Sequence, residues 1–378
     1  MVVVGAGAFG GWTALSLLRK GARVTLVDAW GPGNSRASSG GETRIIRATY
    51  GPSKIYTQMA MDSLRLWKEN ERRWPQPVFT QAGVLWMTPP EDRYEQSALN
   101  VLRDCGAPFE KVSTTEASRR WPQVNFEGVS WVIYEPHAGF LTARRACEFV
   151  LRSFVQEGGT YREAHALPSA IAKSGMEAVI LNGSERVTAD QYVFACGPWL
   201  PEIFPALRPV MKITRQEVFF FGVPAGETRF SEPSMPVWID NTVPRFYGIP
   251  GNQWRGFKLA SDARGPAFDP THGDRRACDS ALAAARGYLA MRFPRLKAAP
   301  VVESRVCQYE NTTDEDFIMD RHPAADNVWI LGGGSGHGFK HGPAVGEMMG
   351  DAVLGKRAAP KEFAVARFGN LKFGEDSK

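Results

Sequence analysis

Apolar positions follow two rhythms along the chain, and the first thirty residues show both. Met1-Val2-Val3-Val4 is a short β-branched run of the kind a buried strand needs. Trp12, Ala14, Leu15, Leu17 and Leu18 then recur at helical spacing as far as Gly21. Arg23-Val24-Thr25-Leu26-Val27-Asp28 predicts a second strand that closes on a carboxylate. Between the first strand and the helix stands Gly5-Ala6-Gly7-Ala8-Phe9-Gly10. Strand, glycine turn, helix, strand and acid, in that order, make a βαβ unit for a dinucleotide. Gly5 allows the tight turn, Gly7 lets the backbone approach a pyrophosphate, and Gly10 lets helix and strand pack closely. The helix N-terminus offers N–H groups and the positive end of its dipole to the phosphates. Asp28, 23 residues after Gly5, is placed for the ribose hydroxyls. The unit by itself does not separate a nicotinamide from a flavin dinucleotide.

Further along, Met59, Leu64 and Trp67 predict a helix ahead of Pro75, and residues 78–90 alternate as a strand. Ala143 to Gln156 reads as an amphipathic helix stopped by Gly158-Gly159. Tyr192-Val193-Phe194-Ala195-Cys196-Gly197 is a buried strand ending in glycine. Residues 210–300 are rich in short strands, turns and aromatics, and predict a separate β-rich layer. Asn327 to Leu331 is a strand running into the glycine-rich stretch 332–338, with a helix from Ala344 to Leu354 behind it.

Composition excludes several classes. At about 150 residues per domain, 378 residues suggest two domains. With 43% hydrophobic and 11% aromatic residues the chain can bury a core, which rules out disorder. No run approaches the ~18 apolar residues of a spanning helix, so no membrane association is expected. Lys plus Arg exceed Asp plus Glu only by 45 to 40, with no like-charge block, so no nucleic-acid partner is expected. The five cysteines (Cys105, Cys147, Cys196, Cys278, Cys307) are odd in number and form no CxxC pair, which suits a reducing, cytoplasmic setting. Because the first strand begins at residue 1, the sequence says nothing about a preceding targeting segment. His337 and His341 stand at i,i+4, but glycine and proline surround them and no metal is expected there.

The rest of the chain decides which dinucleotide is bound. Ser38 to Gly51 contains Thr43-Arg44-Ile45-Ile46-Arg47, and Cys196-Gly197-Pro198-Trp199 follows in the middle. The last third holds Cys307-Gln308-Tyr309, Asp314 to Ile318, His322-Pro323 and Ser335-Gly336-His337-Gly338-Phe339-Lys340. In this order and spacing the segments resemble the FAD-dependent amine oxidases of the monomeric sarcosine oxidase and N-methyltryptophan oxidase family, over essentially the whole chain. The resemblance implies an α/β fold of the glutathione-reductase-like and D-amino-acid-oxidase-like kind, a Rossmann-type FAD-binding domain carrying an inserted α+β, β-rich substrate domain. It divides the chain into residues 1–78, 140–208 and 305–378 for FAD, and 79–139 and 209–304 for substrate.

The same resemblance implies residue roles. FAD would be held by Gly5, Gly7, Ala8, Phe9, Gly10 and Asp28, then by Ser35, Arg36, Gly41, Thr43 and Arg44. Cys196, Gly197 and Trp199 join from the middle, and Gly334, Gly336, His337, Gly338, Phe339 and Lys340 from the end. Cys307 matches the cysteine that forms a thioether to the flavin, and Arg44 would lie against its ring. Arg47 and Lys340 match the cation pair on the substrate carboxylate, and Tyr247 and Tyr309 the hydroxyls lining the pocket. Lys258, eleven residues after Tyr247, matches the lysine that activates oxygen. Two positions depart from the family's sarcosine-specific members: Asp262 stands four residues after Lys258 where they carry histidine, and Gly40 where they commonly do. An aspartate there favours a substrate with an additional cation or hydroxyl. Trp238, Arg245 and Asp262 are the expected specificity determinants. The implied activity is oxidation of a secondary amino acid to an imine, with oxygen as electron acceptor and hydrogen peroxide as product, by a monomer. The alternatives are a flavin dehydrogenase feeding a protein or quinone acceptor, and a non-catalytic flavoprotein.

Overall fold

A computed structural model describes residues 1–172, 174–242 and 245–373. Its first sheet has six strands in the order Ile318–Arg321, Val328–Gly332, Tyr192–Phe194, Val2–Val4, Thr25–Asp28, Thr160–Glu163. All neighbours are parallel except the Ile318–Arg321 edge. Side chains alternate across a strand, and here both faces are covered. Val3 and Leu26 pack among residues of the helices Ala8–Arg19, Ala143–Gln156 and Gly342–Val353, including Trp12, Val150 and Val345. Val2, Val4 and Val27 pack instead against Ala166, Val179 and Leu181 of a small antiparallel sheet. This is why the first strand reads as an unbroken apolar run.

The second large sheet has eight strands: Val301–Thr312, Met211–Phe221, Phe257–Ser261, Phe246–Ile249, Val237–Asp240, Val84–Thr88, Trp131–Glu135 and Glu110–Ser113. The helix Asp279–Arg292 covers one face, where Tyr288 and Leu289 meet Phe219, Phe221, Trp238 and Phe257. Burying each such aromatic contributes about 1.5–3 kcal/mol relative to exposure. Beneath this layer Asp240 and Arg292 form a fully buried ion pair at 2.8 Å, and the Tyr288 hydroxyl donates to the same carboxylate at 2.9 Å. Removing one partner strands the other charge out of water, so Arg292→Met is expected to destabilise folding by about 3–5 kcal/mol. Denaturant unfolding checks this, and an unchanged midpoint would show that the pair carries no such strain.

The expected helices and strands are present, with shifted limits. The helix ahead of Pro75 runs Lys54–Glu71, and the last one Gly342–Val353. The strand expected over 78–90 is broken at Gly83, whose φ is +73°, into Phe79–Thr80 and Val84–Thr88, which join different sheets. The helices Arg93–Asp104, Thr114–Arg120 and Asp279–Arg292 were not anticipated. The last of these is alanine-rich and its apolar stripe has little contrast. The twelve-residue strand Val301–Thr312 pairs along Met211–Phe221, so the boundary drawn between residues 304 and 305 falls inside one strand.

Candidate active site

A cleft of about 440 Å³ runs along the C-terminal ends of the first sheet. Gly5 turns there with φ +106°, its main chain packed against the Ala195 carbonyl. The helix that follows begins at Ala8 with no acid in its first turn; Ser39 Oγ accepts from the Ala8 N–H at 3.1 Å, and the rest of its positive end is left to an outside anion. Asp28 accepts from the Ala6 N–H at 2.7 Å and the Trp30 N–H at 2.9 Å. These bonds hold its carboxylate at the cleft wall with lone pairs to spare, and burial raises its pKa in spite of them. Trp30 and Trp199, ring centroids 5.0 Å apart, form one side of the cleft, and Gly334, Gly336 and Gly338 another. A Cβ on Gly336, which has φ +79°, would lie 2.7 Å from the Tyr309 ring. These features fit a dinucleotide lying with its phosphates at the helix end and its acidic partner at the ribose.

The cleft meets a second cavity of about 620 Å³, and the two share Ala37, Arg44, Tyr309, Gly336 and Phe339 in their walls. One wall of this cavity is the uncovered face of the eight-stranded sheet. Cross-strand partners lie on the same face, so the pairings Tyr247↔Ala260, Phe220↔Lys258 and Val218↔Ala260 bring Tyr247 and Lys258 to one side. Cys307 and Tyr309, two apart on the adjoining strand, line the same cavity. Lys258 is 2% exposed and donates to the Thr43 carbonyl at 2.8 Å. Burial first, then the Arg44 charge, lowers its pKa to about 7. Arg44 reaches the Thr43 and Ser38 carbonyls at 2.8 and 2.6 Å, and its Nη2 lies 3.6 Å from Cys307 Sγ. The Tyr247 and Tyr309 hydroxyls are 3.4 Å apart, and Tyr309 donates to Asp262 at 3.2 Å. Asp262 also faces Arg245 at 3.4 Å, and burial raises its pKa.

The opposite wall comes from the segment after Thr43–Ile46 and from the turn 335–340. The Arg47 guanidinium lies between two rings, 4.4 Å from Tyr50 and 4.8 Å from Trp86. Lys340 is 5% exposed, and its Nζ donates to the Tyr50 hydroxyl and the His337 carbonyl, each at 2.8 Å. Burial, then Arg47, holds Lys340 well below the usual lysine range. Two unanticipated buried carboxylates brace the cavity walls. Glu135 takes the Ala48 and Thr49 N–H groups at 2.7 and 3.1 Å, and Glu95 takes the Trp86 indole N–H at 2.8 Å.

Most of the residues expected at the site line one cavity or the other. Ser35, Gly41, Thr43, Cys307, His337 and Lys340 line the inner one, and Gly197 and Cys196 the cleft. Gly10 sits behind the cleft, packed on the Gly5 carbonyl with no room for a side chain, as its packing role requires. Arg36 lines neither cavity: its guanidinium is drawn outward over the Trp30 ring at 5.2 Å and to the Thr271 carbonyl. Trp238 does not face the substrate cavity either. It stacks on Phe257 at 4.5 Å on the helix-covered face, and its strand neighbour Ile239 points to the cavity instead. Gly40 is buried, and its main chain abuts the Asn34 carbonyl, so a histidine would need the backbone to move. Trp86, Tyr94 and Tyr50 are cavity residues that pattern reading did not single out. Their only signal was aromatic type, which a core residue shares.

Relatives match nearly the whole length of the chain. It is 30% identical over 368 residues to a monomeric sarcosine oxidase from Streptomyces avermitilis, covering 95% of each protein. It is 26% identical over 367 residues to the N-methyl-L-tryptophan oxidase of Salmonella arizonae, covering 94% of this chain and 95% of that one. The structure superposes on that of L-proline dehydrogenase from P. horikoshii with a TM-score of 0.84 at 20% identity, covering 98% of both chains, a likeness of fold. The family pattern for FAD-dependent oxidoreductases matches residues 1–352, so the cleft and its adjoining cavity are those of a member of the DAO family of FAD-dependent oxidoreductases.

Proposed function

We propose that the protein oxidises secondary amino acids, with an N-methyl, cyclic or other N-substituted amine, to imines. The observation that carries this reading is the convergence of two cations, the half-buried Arg47 and the buried Lys340, in a cavity continuous with the dinucleotide cleft. Bound FAD supplies a hydride acceptor for the C–N bond and an electron donor to oxygen, with peroxide as product. The cation pair holds the substrate carboxylate and so fixes where the α-carbon points. Burial and the same two charges disfavour the ammonium form of the bound amine and favour the neutral, reactive form. Asp262, held by Arg245 and Tyr309 at the same cavity, offers a carboxylate to an additional hydroxyl or cation on the substrate. This departs from a site built for sarcosine alone. Lys258 supplies a cation for the oxygen step.

We also assign Cys307 as the attachment point of the flavin, since its sulfur faces the inner cavity beside Arg44. Acid precipitation is expected to leave the yellow colour in the pellet of the parent protein and release it from Cys307→Ser. Colour in the parent supernatant would sink the assignment. The protein is read as acting alone, as the name of its Streptomyces relative says of that protein, and sedimentation tests this. All five cysteines are free thiols, which supports a reducing compartment. Among the described residues no helix is long and apolar enough to cross a membrane.

The test of the activity is an anaerobic screen of N-methyl, cyclic and glycated amino acids, followed by loss of flavin absorbance, then peroxide assay in air. Bleaching with one peroxide per imine is the expected result. Bleaching without peroxide would make the protein a dehydrogenase for another acceptor, and no bleaching with any amine would overturn the reading.

A further inference from the structure

Tyr50 sits behind both cations of the carboxylate clamp and touches each in a different way. Its ring face lies 4.4 Å from the Arg47 guanidinium, and Tyr56 backs the ring at 5.2 Å in a stacked arrangement. Its hydroxyl oxygen meets three nitrogens: Lys340 Nζ at 2.8 Å, His341 Nε2 at 2.7 Å and His337 Nδ1 at 3.3 Å. The protons in this cluster can be placed by elimination. His337 Nε2 lies 3.1 Å from the Glu315 carbonyl, which only accepts, so Nε2 carries the proton. In neutral His337 the Nδ1 is then an acceptor, 3.3 Å from the Tyr50 hydroxyl. The proton of Tyr50 goes to His341 Nε2, its nearest acceptor at 2.7 Å, and the Tyr50 oxygen accepts from Lys340. His341 then carries its proton on Nδ1, on the side of the Met59 main-chain carbonyl. Both rings are held neutral by burial, which pushes His337 down to about 3.

We propose that Tyr50 is a positioning residue that sets both cations of the clamp, its oxygen serving as a fixed acceptor that keeps Lys340 in its ammonium form. This rests on the reading of Arg47 and Lys340 as the carboxylate clamp. The charged and titratable groups around Lys340 are Arg47, which opposes its charge, Asp262 and Glu135, which favour it, and the two neutral histidines. None of these charges bonds Nζ directly; the Tyr50 oxygen and the His337 main-chain carbonyl do, and the third ammonium proton is left for a ligand.

The test uses flavin-loaded full-length protein titrated with methoxyacetate, which matches an N-methyl amino acid in shape but has no amine to oxidise. Flavin absorbance reports binding across pH. In the parent protein affinity is lost on the alkaline side as Lys340 gives up its proton. Tyr50→Phe is expected to weaken binding about tenfold, the effect of losing a charge-assisted hydrogen bond, and to move that alkaline midpoint to lower pH. His341→Phe removes the acceptor that turns the Tyr50 proton away from Lys340, and is expected to move the midpoint in the same direction by less. A midpoint that stays in place in Tyr50→Phe overturns the proposal, because that variant keeps the ring and its packing and loses only the hydroxyl. Lys340→Met provides the reference: if it binds methoxyacetate as tightly as the parent, the clamp reading itself fails, whatever Tyr50 does.

Discussion

Lys258→Met is expected to slow reoxidation by oxygen about 100- to 1,000-fold while anaerobic reduction by substrate stays nearly unchanged, the scale set by removing one preorganised charge from a water-excluded site. The lysine is buried and its ammonium is anchored on Thr43, through the carbonyl at 2.8 Å and the hydroxyl at 3.3 Å. It needs no reorganisation to meet negative charge developing beside it. Its lowered pKa, caused by burial and then by Arg44, puts the titration of this cation at about pH 7. The charge is complete below that pH and lost as pH rises through it, so the oxygen reaction of the parent should decline over that range. Negative charge on the bound cofactor would carry the midpoint upward. The variant has no such group, and its slow reaction should lack this limb. Stopped-flow mixing of the reduced protein with oxygen at several pH values reads both effects, and parent-like reoxidation in the variant would remove Lys258 from the oxygen step.

The second large effect belongs to Lys340. Replacing it with methionine keeps the bulk of the side chain but leaves Arg47 without its partner at the carboxylate. A hydrogen bond to a charged group contributes about 1.5–3 kcal/mol, so kcat/KM for an N-methyl amino acid should fall about 10- to 150-fold. The same amine without its carboxylate should lose much less, since it never used the lysine. The ratio of the two specificities is therefore the informative quantity. If the ratio does not move, Lys340 does not read the carboxylate. Trp67 donates to the Lys340 carbonyl at 2.9 Å, a main-chain contact that the substitution leaves in place.

The expected site residues that the structure brings to the cleft and cavity lie mostly in short contiguous segments. The glycine turn at 5–10 and the acid at 28 are spaced by the geometry of one βαβ unit, and local steric rules are enough to interpret them. Lys258 and Tyr247 are also close in sequence, because they sit on neighbouring antiparallel strands whose register brings them to one face. Pattern reading does less well where partners are far apart. Tyr50 finds Lys340 and His341 across some 290 positions, and Glu135 finds Thr49 across 86. Nothing local marks such residues as different from a core tyrosine or a surface glutamate. Trp238 failed for a related reason: a strand places successive side chains on opposite faces, and only packing tells which face is covered.

The sequence alone determined the dinucleotide unit, the order of helices and strands around it, and the residue types that chemistry would use. These follow from periodicity, turn sterics and motif spacing, all of which act over a few residues. Tertiary structure alone decided which face of the eight-stranded sheet became the cavity and that Arg36 turns outward. It alone decided that two cations share one buried tyrosine. Burial and Coulomb interactions depend on distance in space, and the chain acquires those distances only when the two sheets close over the cleft.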